Sequence, residues 1–236
     1  MSSDLDPASM RSAPARPGWP ELLAGVGGYT IAFVLSPAVV DIVGGEDGVT
    51  RGLAAAALSG IVGLIGFVAA FLIRLRAWTA FGVKGTGLRW ILVAIGLGLA
   101  VFVAARLVFA MLLATGTLPD ADPQQDYRAA AGGGALALAA QLLLIAVLTP
   151  VGEEFLFRGV FVSALQSHGA FLSIAASTLL FAVAHGLNLT LLPATLVGVV
   201  SAVLLLRTGS IWPGVIVHAV NNGLGTVLEV VVPTMS

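Results

Sequence analysis

Seven stretches of this chain are apolar for long enough to leave water altogether. They run over about 21–43, 52–73, 89–113, 134–165, 170–185, 190–206 and 211–232. A helix needs about 20 mostly apolar residues to cross a hydrocarbon core of about 30 Å. Spanning segments must also satisfy every backbone polar group internally. The expected fold class is therefore all-α: a polytopic transmembrane helical bundle of about seven spans. Composition points the same way, with 10% charged residues where a soluble domain carries about 25%. A water-soluble globule is excluded. The 29 glycines suit helices that pack backbone to backbone in lipid. A formal charge of -1 offers no basic patch, so nucleic acid is not expected as a partner. With no cysteine in the chain, disulfides, thiolate metal sites and a cysteine nucleophile fall together.

Residues 1–20 are rich in Ser, Pro and Ala and lack an apolar core. They read as a disordered tail and not as a signal peptide. The remainder, 21–236, reads as one membrane domain. Arg11 and Arg16 precede the first span, Arg74, Arg76, Lys84 and Arg89 lie between the second and third, and Arg207 follows the sixth. Asp41, Glu46, Asp47, Asp120, Asp122 and Asp126 fall in the alternate loops. Basic residues accumulate on the cytoplasmic side. This predicts a multi-pass protein of the cell membrane with a cytoplasmic N-terminus, and seven spans leave the C-terminus outside.

An ionisable group within a span is costly and marks a functional site by default. Arg106 has no partner on its own helix and reads as a snorkelling or lipid-facing arginine. The fourth stretch carries Glu153, Glu154 and Arg158 just after Pro150 and Gly152, which should kink or loosen the helix. Glu154 and Arg158 are four residues apart and meet on one face, so the guanidinium would hold Glu154 ionised. Glu153 lies about 100° round the helix without such a partner, free to take a proton from water. A structural ion pair with a bystander glutamate is the competing reading of that segment. In the fifth stretch Phe181 and His185 share a face, and in the seventh His218 and Asn222 do. His168, in a short loop beside Gly169, reads as merely solvated.

A carboxylate and an imidazole can activate water while a second imidazole and an amide stabilise an oxyanion. That set suffices to hydrolyse an amide bond. The same Glu153, His185 and His218 could instead hold zinc with an open water position. The rise of 1.5 Å per residue sets Glu153 roughly 20 Å, and His185 about 22 Å, from the turn at His168. Those depths agree. His218 comes only about 10 Å after Ile211, so its helix must start deeper or tilt, and Pro213 would permit an unwound beginning.

Glu153-Glu154-x-x-x-Arg158, Phe181-x-x-x-His185 and His218-x-x-x-Asn222, in this order and each in an apolar segment, resemble the CPBP intramembrane proteases, a family that includes the type II CAAX prenyl endopeptidases. The resemblance covers about 134–225. It implies an intramembrane endopeptidase whose catalytic groups lie in a cavity within the membrane and which cuts a membrane-associated or C-terminally processed protein or peptide. It implies Glu153 as the general base assisted by His185, Glu154 held by Arg158, and His218 with Asn222 as the oxyanion hole. Zinc dependence belongs to older descriptions of the family. An account without a cofactor is preferred because no close-spaced ligand pair appears. Two other readings stand beside it: a proton-coupled transporter, and a non-catalytic membrane partner such as an immunity or scaffold protein.

Overall fold

A computed structural model describes residues 15–115 and 125–231. Most of the expected tail therefore lies outside the described residues, as do Asp120 and Asp122. The described residues form eight helices, a short 3-10 turn at Trp78–Phe81 and no strand: α1 (Trp19–Gly44), α2 (Gly48–Ile73), α3 (Leu88–Ala114), α4 (Gln125–Gly132), α5 (Ala135–His168), α6 (Ala170–Ala184), α7 (Leu191–Thr208) and α8 (Trp212–Val231). Six of them are long and apolar enough to cross a membrane, and α6 is a shorter apolar helix. The bundle expected from the seven stretches is the fold observed. One segment read as a loop contains α4. Asp126 on α4 and Asp41 in the last turn of α1 both pair with Arg51, at 3.6 and 2.9 Å, which ties this short helix to the bundle.

Local signals fix the helix ends. The Glu21 side chain turns back to accept from the Gly18 backbone N–H at 2.8 Å, and Asp47 caps α2 by accepting from the Thr50 N–H at 3.0 Å. Glu21 is fully buried and also accepts twice from Arg74, each at 3.0 Å. Trp19 meets His168 edge to face at 5.7 Å, and Ser210 Oγ donates to the Lys84 carbonyl at 2.7 Å. The beginnings of α1, α6 and α8 and the end of α2 thus gather at one end of the bundle, as alternating passes require.

Helix α2 runs through the middle with its small residues inward. A Cβ on Gly60 would lie 2.6 Å from the Leu148 carbonyl oxygen, and one on Gly152 would lie 2.0 Å from the Gly60 oxygen. Neither position admits even a methyl group. Gly152 therefore serves close packing of α5 on α2 rather than loosening α5, as the sequence had suggested. The irregularity of α5 lies on either side: π-helical turns at Leu144–Leu148 and Phe155–Val162 flank the α-helical turn Thr149–Glu154.

The depth of α8 has a local cause. Phe67, Phe71, Trp78, Phe81 and Phe155 pack ring against ring, and Trp212 joins at Phe155. Above them the 74–87 connection folds onto the beginning of α8, where the Ile211 N–H donates to the Gly82 carbonyl at 3.0 Å. Ser210 and Ile211 are each 1% exposed. The helix carrying His218 starts inside the protein, as the depth mismatch demanded.

Candidate active site

Glu153 and Glu154 occupy the α-helical turn between the two π segments, and both are buried. Glu154 Oε2 lies 3.1 Å from Arg158 Nε, and neither side chain has any exposed surface. The Arg158 guanidinium also stacks 4.4 Å from the Phe181 ring centroid, so its charge is met by a carboxylate below and a π-face above. Close approach of α8 depends on Gly214, where a Cβ would lie 2.8 Å from Glu154 Oε2. The other Glu154 oxygen lies 3.2 Å from His218 Nδ1.

Glu153 points elsewhere. Its Oε1 accepts from Ser59 Oγ on α2 at 2.9 Å, while its buried Oε2 has no hydrogen-bond partner among the described residues. Facing that oxygen are His218 Nε2 at 3.7 Å and His185 Nε2 at 3.8 Å. These separations exceed a direct hydrogen bond and suit one water lying off the lines between the groups. The outer ring nitrogens are already engaged. His185 Nδ1 is 2.8 Å from the Phe181 carbonyl oxygen, which can only accept, so Nδ1 carries the proton and Nε2 is left for the gap. His218 Nδ1 is engaged by Glu154 Oε1 at 3.2 Å, which leaves its Nε2 toward the same gap. The Phe181 ring stands edge to face with both imidazoles, at 4.6 and 5.6 Å, and fixes their planes.

His185 directly follows the last residue of α6, whose 15 residues reach about 22 Å, less than the hydrocarbon thickness. The chain turns there through Gly186 at φ +87°. The Asn188 amide and the Thr190 hydroxyl both donate to the His185 carbonyl, at 3.2 and 3.0 Å. Asn222 stands one turn beyond His218 on α8, and its Nδ2 donates to the Ile145 carbonyl at 3.2 Å. Ile145 belongs to the first π segment.

Two hollows meet here. One of about 160 Å³ is bounded by His185, His218, Asn222, Gln141 and Arg106. A larger one, about 560 Å³, lies toward α1 and is bounded by Tyr29, Phe33, Ser36, Glu153 and His185. Ser59, Tyr127, His185 and Thr190 line both. The arrangement can polarise one water between a carboxylate and an imidazole, with a second imidazole and an amide alongside.

All six residues singled out from the sequence lie around this point: Glu153, Glu154, Arg158, His185, His218 and Asn222. His168 is exposed beside Ser167 and Trp19, away from it. Sequence reasoning missed Ser59, since a lone serine in an apolar helix gives no signal of its own. It also misread Arg106. The side chain is half-buried and lines the smaller hollow instead of facing lipid. Its attracting carboxylate, Glu229, sits on α8, where no inspection of α3 could find it. A zinc ion would need three ligands at about 2.0–2.2 Å. Among the described residues no group of three His, Cys, Asp or Glu is disposed to hold a metal ion.

Residues 135–224 match the family model described as Rce1-like, type II CAAX prenyl endopeptidase Rce1-like. The match runs from the start of α5 into α8. No curated protein and no solved structure matches the chain. The resemblance read from the three motifs is thereby shown over this segment, and it supports, in general terms, a CAAX-type protease embedded in the membrane.

Proposed function

We propose that the Rce1-like segment works as an intramembrane endopeptidase in which Glu153 and His185 activate water without a metal. The observation that carries this reading is the unpartnered Glu153 Oε2, faced by two imidazole Nε2 atoms at 3.7 and 3.8 Å. The water between them gives its proton to Glu153, which Ser59 holds in place, while His185 Nε2 aligns the oxygen lone pair on the scissile carbonyl carbon. The C–O bond forms as the carbonyl π electrons move to oxygen. His218 donates from Nε2 to that oxyanion, and the second amide hydrogen of Asn222 supports it. The intermediate collapses with cleavage of the C–N bond, and Glu153 returns its proton to the leaving amine. Glu154 and Arg158 set the position of His218 and take no proton.

The substrate in this reading is a protein or peptide held at the bilayer, reaching the site through the larger hollow. The basic end of the bundle faces the cytoplasm of the cell membrane. The test compares the membrane proteome of cells carrying the wild-type protein with that of cells carrying Glu153→Gln. One or more uncut proteins should accumulate in the variant, and purified wild-type protein should cut them at least about 100-fold faster than the variant. Turnover by wild-type protein should survive exhaustive chelation. Loss of turnover on chelation, restored by zinc, overturns the metal-free account. Proton-coupled flux in proteoliposomes with no cleavage overturns the protease.

A further inference from the structure

Glu153 does not sit midway through the bundle. Along α2 it lies level with Ser59, which donates to it. From Ser59 to Arg51, the partner of Asp41 and Asp126, is eight residues, about 12 Å. From Ser59 to Arg74 at the basic end is fifteen residues, about 22 Å. The two directions also differ in what fills them. Toward the basic end every residue of α5 from 154 to 165 is buried, about 18 Å of unbroken packing. The rings of Phe67, Phe81 and Phe155 close on one another along that side. Toward the other end runs the larger hollow. Its wall on α1 is one face of the helix from Tyr29 through Phe33 and Val40 to Asp41, again about 18 Å. Gln125, Asn188 and Thr190 give it a second, polar wall. It ends at Asp41, Arg51 and Asp126, where Asp41 is exposed and Asp126 half-buried. A roomy hollow with such polar groups holds water at membrane depth.

We infer that the larger hollow opens the reaction centre to the outer side of the membrane, and that the bond cut lies where a membrane-held protein emerges on that side. This rests on the protease reading above and on the orientation proposed with it. A chain held on the cytoplasmic leaflet meets the buried length of α5 and the ring cluster before it meets Glu153. A chain at the outer face has only about 12 Å to travel, between an α1 wall rich in rings and apolar residues and a wall of amides and hydroxyls. The first wall receives apolar side chains, and the second offers hydrogen bonds to an extended backbone. The substrate class that follows is an extracytoplasmic juxtamembrane segment, and the water consumed in hydrolysis enters from the same side.

The test reads thiol reactivity on intact cells, which does not depend on turnover, in a chain with no cysteine of its own. Leu58→Cys and Ala55→Cys each put a thiol on the α2 wall of the hollow. Ile61→Cys puts one at similar depth on the exposed flank of the same helix, and Gly85→Cys marks the basic end. The probe is a cationic, membrane-impermeant methanethiosulfonate added outside. Leu58→Cys should react about 100-fold faster than Ile61→Cys, the factor by which a charge is kept from the bilayer centre. Gly85→Cys should react only after the membrane is opened. Ala55→Cys, nearer the mouth, reads the same path if Leu58→Cys does not fold. Hollow-lining thiols that stay silent from outside overturn the assignment. So does Gly85→Cys reacting from outside, which turns the hollow toward the cytoplasm. A second measurement places the cut. Chain ends present in wild-type cells and missing in Glu153→Gln cells should map to extracytoplasmic segments. New ends in cytoplasmic segments overturn the assignment and leave the protease standing. No new ends at all sinks the protease and the substrate with it, while the thiol rates still establish an outward-open hollow.

Discussion

Glu153 and Glu154 follow one another in the chain, yet losing each should do a different kind of damage. Glu154 is locked between Arg158 and His218 with no exposed surface. Replacing Arg158 by Leu leaves an uncompensated buried charge, at a cost of about 3–5 kcal/mol. Arg158→Leu should therefore lower the thermal unfolding midpoint in detergent markedly. Glu153→Gln, whose Oε2 has no partner to lose, should leave that midpoint close to wild type while turnover falls. Equal destabilisation by the two would remove the distinction drawn between them. The Glu154–Arg158 contact was legible in the sequence because it is local, four residues along one helix. The contact of Ser59 with Glu153 and the attraction of Glu229 for Arg106 join distant helices, and no periodicity within one segment reports them.

Among the elements, α2 and α5 hold Glu153 and Ser59, and their contact leaves no room for a side chain. A Cβ at Gly152 meets the Gly60 backbone at 2.0 Å, with no flexible side chain to yield. Gly152→Ala should cost about 1–3 kcal/mol from overpacking and lower the unfolding midpoint. Because Glu153 is the next residue, its hydrogen bond to Ser59 should be lost with it, and turnover of the remaining folded protein should fall as well. Wild-type stability in Gly152→Ala would deny the close approach. The long apolar runs announced the spans themselves. They could not announce the π turns of α5, the first of which gives its Ile145 carbonyl to Asn222 of α8, or α4, whose eight residues are held by pairing with Arg51.

At the scale of the whole molecule, Arg74, Lys84 and the starts of α1 and α8 share one end, while Arg51 with Asp41 and Asp126 mark the other. In the orientation proposed above, the first end faces the cytoplasm. The absence of native cysteine makes this directly measurable. Gly85→Cys and Glu46→Cys, both at exposed positions, should behave oppositely toward a membrane-impermeant maleimide on intact cells. Glu46→Cys should react at once, and Gly85→Cys only after the membrane is opened. The reverse pattern would invert the protein. Alternation of the passes was legible from the charges, whereas the burial of Ser210 and Ile211 was not, because it depends on a connection folding back over an aromatic cluster. The glycines at 60 and 152 also bear on how such a protein can change over generations. Its outer flanks, wetted by hydrocarbon, can exchange one greasy residue for another almost freely, while two inner positions admit a hydrogen atom and nothing larger. Drift is therefore channelled to the periphery, and the reaction centre is preserved by residues that do no chemistry.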